Sequence, residues 1–188
     1  MQAVGNDIID LHHASIIEPR DEGWMQRHLT PNEWKSLPKK DRMLSFWKMF
    51  ALKEASSKAI SQLGHQVPYG SFTHFETDLE RNQVVHFSGE LFYIQSIEVN
   101  DDWIHAIVTS SRDSKIISEV HRLNSDSDAS QYLQERLLLS LKANGIQQAA
   151  FAQKGGIPFA IQIGRSITPV SFSHSGRFAA LSWQLQTL

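Results

Sequence analysis

A long segment without proline or internal glycine is the feature that most constrains the fold of this chain. Residues 46–64 are rich in good helix formers, and Gly64 provides a C-terminal stop. The segment therefore predicts one helix. Glu54 and Lys58 lie one turn apart on it, beside bulky apolar residues. From their spacing alone, the favoured interpretation is an ion pair on the helix surface, which contributes about 0.2–0.5 kcal/mol.

Alternating apolar and polar segments flank this helix and recur in the second half of the chain. The first half has predicted strands at 3–11, 71–76, 84–88, 90–99 and 103–110. The second half has a predicted strand at 115–121, an amphipathic helix at 131–144, and strands at 149–152, 159–163, 169–173 and 178–185. The sequence thus predicts an α+β fold of two pseudo-symmetric lobes, each a small antiparallel sheet packed on a long helix. Residues 1–110 and 111–188 are the expected lobes of one compact unit.

Shorter elements are predicted between the first strand and the long helix. Residues 12–23 have the composition of a loop or a short irregular helix, and residues 24–29 that of a helix. Thr30, Pro31 and Glu33 have the spacing of an N-cap, a first-turn proline and the partner residue of a capping box. A short helix is therefore expected to begin after Thr30 and to end near Pro38.

The charge balance and the absent residue types narrow the possible functions. The chain has 18 basic and 20 acidic residues among 188, a formal charge of −2, so no overall basic surface points to nucleic acid. The absence of cysteine excludes disulfides, cysteine zinc sites and thiol catalysis. No apolar run approaches the roughly 20 residues that span a bilayer, and the N-terminus lacks signal-peptide features. We therefore expect a cytoplasmic protein that binds neither nucleic acid nor a membrane.

Two carboxylates are candidates for a metal site. Asp7 lies at or near the end of the first predicted strand, and Glu54 lies on the long helix. Together they can share a hard divalent cation, because Mg2+ accepts one or two carboxylates with phosphate and water oxygens. Lys58 would point toward the same place and suits an oxygen of a phosphate leaving group. Taken alone, Asp7 is better explained as a turn or capping residue.

The second polar segment is residues 171–177, SFSHSGR. Hydroxyl groups, the His174 imidazole and backbone N–H groups at a turn can form a phosphate-binding concavity. Taken alone, the segment is better explained as a plain hairpin turn, which small polar residues and glycine also favour. Lys154 precedes a second glycine turn, but that segment is too short for a P-loop. No G-x-S-x-G segment is present, so a Ser–His–acid hydrolase lacks its main cue.

Three segments together resemble one known family. GNDIIDL at 5–11, FALKEASSK at 50–58 and VSFSHSG at 170–176 resemble the signature motifs of the 4′-phosphopantetheinyl transferase superfamily. The resemblance implies that Asp7 and Glu54 bind Mg2+ and that Glu54 is also the general base for an incoming serine. It implies that Lys58 contacts the pyrophosphate of coenzyme A.

The resemblance also assigns roles in the second half of the chain. His174 would bind the 3′-phosphate of coenzyme A, with Ser173 and Ser175 nearby and Lys154 assisting. At two positions the chain departs from the family pattern: Ile9 replaces a second acid found in some two-lobed members, and Ile157 replaces the lysine of a G-K-P turn. Because Ile9 cannot bind a metal ion, a water molecule would replace the second acid as a metal ligand.

The order of the motifs is the third departure. The chain resembles the two-lobed, surfactin-synthetase-activating type, but the lobe with the SHS motif follows the other lobe instead of preceding it. This order is that of a circular permutation, which a pseudo-symmetric fold with neighbouring termini tolerates. The length and the leucine-rich second helix favour two lobes fused in one monomer.

The resemblance predicts an Mg2+-dependent enzyme. It would transfer the 4′-phosphopantetheine group of coenzyme A to a serine of an apo acyl or peptidyl carrier protein and release 3′,5′-ADP. Such carriers are usually acidic, so the basic residues within 35–48, together with Arg20 or Arg27, are candidate docking contacts. A non-catalytic module that binds coenzyme A or a carrier is the main alternative, and Ile9 and Ile157 favour it. An unrelated phosphoesterase that uses the same acids is the third possibility.

Overall fold

The computed structural model describes residues 2–17, 21–67, 72–124, 128–154, 157–162 and 167–185. Its first lobe consists of β1 (Val4–Asp10), α1 (Leu11–Ile17), α2 (Glu22–His28), α3 (Pro31–Ser36), α4 (Arg42–Gln62), β2 (Phe75–Asp78), β3 (Gln83–His86), β4 (Leu91–Val99) and β5 (Trp103–Thr109). Its second lobe consists of β6 (Lys115–Arg122), α5 (Ala129–Ala143), β7 (Ala149–Lys154), β8 (Ile157–Gln162), β9 (Ile167–Ser175) and β10 (Phe178–Leu185).

The two sheets have the same topology. The strand order is β1-β5-β4-β3-β2 in one sheet and β6-β10-β9-β8-β7 in the other. In each sheet the first strand of the lobe pairs with the last, the others follow in reverse order, and the pairs are antiparallel. Each lobe also carries a long helix between its first and second strands. The predicted α+β fold of two pseudo-symmetric lobes is therefore confirmed.

Helix α4 is the centre of the first lobe. Phe46, Ala51, Leu52 and Ala55 are fully buried against the sheet. The helix begins at Arg42, four residues before the predicted start, and ends two residues before the predicted end. Its N-cap residue, Asp41, has a left-handed conformation and makes no side-chain capping hydrogen bond. The usual sequence signal of a helix start is therefore missing here.

Glycine at position 5 allows β1 to lie directly against α4. A Cβ atom added to Gly5 would lie 1.8 Å from the carbonyl oxygen of Ala55, far inside van der Waals contact. Side chains two residues apart on a strand share a face. Asp7 therefore projects from the same face of β1 that Gly5 presents to the helix.

The second lobe repeats this packing on a smaller scale. The buried residues of its core come from α5, β9 and β10, and they are Leu133, Leu137, Leu141, Val170, Ala179, Leu181 and Trp183. Asp128 caps α5, because its carboxylate accepts hydrogen bonds from the backbone N–H groups of Ser130 and Gln131 at 2.9 and 3.2 Å. The predicted amphipathic helix is confirmed and begins two residues earlier.

Several boundaries differ from the predictions. Residues 11–17 form a regular helix where a loop or irregular helix was expected. The strand expected at 71–76 is replaced by a 3-10 turn at Phe72–His74 followed by β2. The capping box at Thr30 is confirmed: its hydroxyl accepts from the Glu33 N–H, and the Glu33 carboxylate accepts from the Thr30 N–H.

The lobes meet where β1 runs beside β9. The Asn6 N–H donates to Ser171 Oγ at 2.9 Å, and the Asp10 N–H donates to Ser175 Oγ at 3.1 Å. Both bonds span 165 positions, so the two strands run in the same direction. Asn6 Nδ2 also donates to Ser182 Oγ on β10 at 2.9 Å. Side-chain hydroxyl groups therefore replace a backbone ladder at this junction.

None of the helices in the described ranges has the length and apolar character needed to cross a bilayer.

Candidate active site

Strand β1 and helix α4 bring three of the predicted site residues together. Lys58 Nζ donates to Asp7 Oδ1 at 2.8 Å and to the backbone oxygen of Asn6 at 2.9 Å. Glu54 lies one turn before Lys58, close enough for the Asp7 charge to affect its pKa. The strand continues three residues beyond Asp7, so this acid lies in the middle of β1 and not at its end.

Burial makes this cluster electrostatically unusual. Desolvation raises the pKa of Asp7, although the Lys58 ammonium group opposes the rise. Desolvation, with repulsion from Asp7 in second place, raises the pKa of Glu54 to about 7. When both Asp7 and Glu54 are ionised, the site carries two negative charges, and the single positive charge of Lys58 compensates only one of them. The site therefore has a surplus of carboxylate charge and favours an additional cation.

The donor set fits a hard divalent cation. Asp7 and Glu54 present carboxylate oxygens from a strand and a helix, and the Lys58 ammonium group already occupies a cation position against Asp7. Among the described residues, no group of three or more His, Cys, Asp and Glu side chains has the arrangement of a metal site. A cation here would therefore depend on two carboxylates, with water or substrate oxygens as the remaining ligands. Ile9 is buried in the core of the first lobe and adds no acid.

His174 approaches the same cluster from the second lobe. It is the penultimate residue of β9, its side chain is exposed, and its charge lowers the pKa of Asp7. The structure therefore places the imidazole within electrostatic range of the carboxylate pair. Strand β9 extends through Ser175, so His174 belongs to the strand, and the turn itself contains Gly176 and Arg177.

The two serines beside His174 have different environments. Ser175 Oγ accepts a hydrogen bond from the Asp10 N–H and thus contributes to the contact between the lobes. Ser173 is buried, and its Oγ has no hydrogen-bond partner among the described residues. A buried hydroxyl without a partner is uncommon, since it loses its hydration without compensation. Ser173 is therefore the serine of this segment whose hydroxyl has no described partner, although it is covered from solvent.

His105 is a neighbour of the cluster that the sequence did not single out. It pairs with Ile8 across β1 and β5, is fully buried, and its Nε2 has no partner in the described part of the chain. Burial, and then the charge of Lys58, lowers its pKa to about 4. A neutral imidazole therefore lies behind the site near neutral pH. A single histidine within an apolar strand gives no sequence signal of this placement.

Some of the sequence predictions concern residues that the structure does not describe. Lys154 ends β7, but its side chain lies outside the described set, and so does the side chain of Ile157. Arg20 also lies outside the described ranges. Their predicted roles remain predictions.

The predicted basic surface precedes and includes the start of α4. Lys35, Lys39 and Lys40 are exposed. The Arg42 guanidinium lies over the Trp34 ring at 4.2 Å from its centroid. Exposed cations around a partly covered aromatic ring can contact an acidic protein surface.

A comparison with protein-family models gives one match. Residues 3–108 match the model of the 4′-phosphopantetheinyl transferase superfamily. The matched segment covers more than half of the chain and includes Asp7, Glu54 and Lys58, whereas His174 lies beyond it. Neither a search of curated proteins nor a search of solved structures gives a match.

Proposed function

Because the chain belongs to the 4′-phosphopantetheinyl transferase superfamily, we propose that it transfers the 4′-phosphopantetheine group of coenzyme A to an apo acyl or peptidyl carrier protein. The acceptor is a serine hydroxyl, and 3′,5′-ADP is released. The observation that carries this proposal is the cluster of Asp7, Glu54 and Lys58 inside the segment that matches the family. We further infer a two-lobed enzyme that acts as a monomer, with the lobe order exchanged.

In this proposal Asp7 and Glu54 hold the metal ion. Mg2+, when bound, would neutralise negative charge on the pyrophosphate of coenzyme A. The Lys58 side chain is about one third exposed, at 31%. It can therefore exchange its bond to Asp7 for a bond to the pyrophosphate. There it stabilises the negative charge that develops on the departing 3′,5′-ADP.

Glu54 is the proposed general base. Burial raises the pKa of Glu54 to about 7 in the metal-free protein, and a bound divalent cation would lower it, so the carboxylate is ionised and can accept a proton near neutral pH. The serine hydroxyl of the carrier loses its proton to Glu54, directly or through water, and its oxygen attacks the phosphorus that bears the pantetheine arm. A new phosphorus–oxygen bond to serine forms, and the bond to the 3′,5′-ADP phosphate breaks.

The second lobe would bind the adenosine end of coenzyme A. We assign the 3′-phosphate to His174, with Ser173 nearby on the same strand. Lys154 and Ser175 are the additional candidates from the sequence. Of these two, Ser175 already accepts a hydrogen bond from the Asp10 N–H on β1. Its contribution is therefore to hold the end of β9, which carries His174, in position.

The carrier protein would dock on the basic surface around Lys35, Lys39 and Lys40, with Arg27 as a further candidate contact. Complementary charge mainly increases the rate of association and fixes orientation. A carrier whose surface acids are replaced by lysine should therefore bind more weakly at low salt. Unchanged binding of that carrier would remove this part of the proposal.

A non-catalytic module that binds coenzyme A is the second candidate. It is favoured by Ile9, which is buried where some family members have an additional acid. In such a module the intact carboxylate pair would have no catalytic role, and Mg2+ would not strengthen the binding of coenzyme A.

One experiment separates these functions. The release of 3′,5′-ADP from coenzyme A is measured with Mg2+, in the presence and absence of an apo carrier protein. Transfer predicts release only when the carrier is present. Release without a carrier would indicate a phosphoesterase, and bound coenzyme A without any release across several carriers would indicate a binding module.

A further inference from the structure

Asp10 ends β1 on the face opposite Asp7, and its carboxylate joins the two lobes. The Arg177 N–H and Nε each donate to Oδ2 at 2.8 Å, and Arg177 Nη2 donates to Oδ1 at 2.8 Å. The N–H groups of His12 and His13 also donate to Oδ1, at 3.0 and 3.2 Å. Asp10 is 1% exposed. All five donors come from α1 of the first lobe or from the β9–β10 turn of the second.

The Asp10 carboxylate is therefore fully engaged. Burial alone would raise the pKa of Asp10, but the hydrogen bonds from Arg177 outweigh it and hold the pKa well below its usual range. The group is ionised at all pH values at which the protein would act, and its oxygens are occupied by donors of the chain. Asp10 is accordingly neither an available metal ligand nor a proton acceptor.

The turn that Asp10 holds begins two residues after His174, with Ser175 between them. The Asp10 N–H donates to Ser175 Oγ, one residue after His174. At Gly176, which has a φ of +51°, an added Cβ would lie 2.6 Å from Asp10 Oδ2. Backbone, side chain and steric contacts thus fix the turn against the end of β1.

We propose that Asp10 is a positioning residue of the active site: through Arg177 it clamps the β9–β10 turn to β1 and so holds His174 within electrostatic range of Asp7. The proposal deepens the proposed function, because it takes from it the assignment of His174 to the 3′-phosphate of coenzyme A. It requires no contact between Asp10 and the substrate.

The test compares the binding of coenzyme A and of 3′-dephospho-coenzyme A by calorimetry. The variants are Asp10→Asn, which keeps the α1 cap and weakens the clamp, and Gly176→Ala, which disturbs the turn without changing any charge. The control is Arg136→Gln, since Arg136 forms a similar pair with Glu119: the distance is also 2.8 Å, and the arginine is 36% exposed against 33% for Arg177.

We expect the wild type to bind coenzyme A at least about tenfold more tightly than the dephospho form. This is the gain in affinity expected from one charge-assisted hydrogen bond between His174 and the 3′-phosphate. Asp10→Asn and Gly176→Ala should each lose most of this preference and leave the dephospho form bound as before. Arg136→Gln should retain it. A purely structural defect would weaken both ligands equally and would overturn the proposal.

Tighter binding of coenzyme A by Asp10→Asn would also overturn it, because it would mean that a released Arg177 binds the phosphate itself. Hydrogen exchange at residues 173–178 tests the clamp without a ligand, and it should accelerate about tenfold in Asp10→Asn but not in Arg136→Gln. Unchanged exchange would refute the clamp. A wild type without any preference, but with the expected exchange, would instead refute the assignment of His174 under the proposed function.

Discussion

Two carboxylates and one ammonium group meet between β1 and α4, and the charge state of the carboxylates depends on pH. The pKa of Glu54 is raised to about 7 by burial and by repulsion from Asp7. A raised pKa in the folded state means that folding favours the protonated form. The stabilisation from that proton is fully present below the ordinary pKa of 4.5 and is lost as the pH rises through about 7. Lys58 and His174 interact electrostatically with Asp7, and Lys58 also affects His105.

The first prediction concerns Glu54→Gln without metal. The amide cannot ionise, so this variant should be more stable than the wild type at pH 8.5, by on the order of 2 kcal/mol. The difference should shrink as the pH falls toward 5. Thermal unfolding in a chelator over this pH range measures it, with Glu98→Gln, a change at an exposed glutamate, as the control. Parallel stability curves for wild type and Glu54→Gln would contradict the raised pKa.

The roles of these residues could be anticipated only in part from the sequence. Asp7, Glu54 and Lys58 stood out because their spacing matched a family motif, and the structure brings them together. The glycine of that motif has a physical reason that the sequence did not show: it lets β1 touch α4. The burial that raises the pKa of Glu54 depends on packing from several elements, so no local pattern could reveal it.

At the scale of elements, Lys53 connects α4 to the helices that precede it. It is fully buried, forms a close ion pair with Glu33, and donates to the backbone oxygen of His28 at 3.1 Å. The other Glu33 oxygen accepts from the Thr77 N–H at 2.8 Å. One ion pair thus joins α2, α3 and β2 to the helix that carries Glu54.

The second prediction is that Lys53→Met destabilises the protein by about 3–5 kcal/mol, because it leaves the Glu33 carboxylate buried without its partner. The double variant Lys53→Met with Glu33→Gln should recover part of this loss. Denaturant unfolding measures both. Equal stability of the single variant and the wild type would contradict a structural role for the pair.

Of the two roles of Glu33, the sequence predicted only its part in the capping box. The capping box identified Glu33 as the partner of Thr30, and the structure confirms that role. The second role of Glu33, as the partner of Lys53, connects residues 20 positions apart on different helices. Such a contact depends on tertiary packing, which neither helical periodicity nor a capping motif contains. The start of α4 was missed for a local reason, because Asp41 makes no capping bond.

At the scale of the molecule, the identical strand order of the two sheets agrees with an internal duplication predicted from the order of elements. The junction between the lobes was not predictable in the same way. It depends on Asn6 and on serines of β9 and β10 that are 165 to 176 positions away. Serine and asparagine are ordinary turn and surface residues in a sequence, and only the packed structure shows them buried at an interface.

The third prediction follows from this junction. The lobes share buried hydrogen bonds and the Asp10–Arg177 pair, so we expect them to unfold together in one cooperative transition. Differential scanning calorimetry should give one peak whose calorimetric and van't Hoff enthalpies agree. Two separate transitions would contradict the description of residues 1–110 and 111–188 as lobes of one unit. Asn6→Leu, which removes the central amide of the junction, should broaden or split the peak.

Intact-mass spectrometry of a carrier protein shows directly whether the cluster at β1 and α4 catalyses transfer. An apo carrier is incubated with coenzyme A, Mg2+ and either the wild type or Glu54→Gln, with Glu98→Gln as the control. We expect the carrier to gain the mass of one phosphopantetheine group with the wild type and the control, but at least about a hundredfold more slowly with Glu54→Gln. A carrier modified equally fast by Glu54→Gln, or never modified by a wild type that binds coenzyme A, would contradict this expectation.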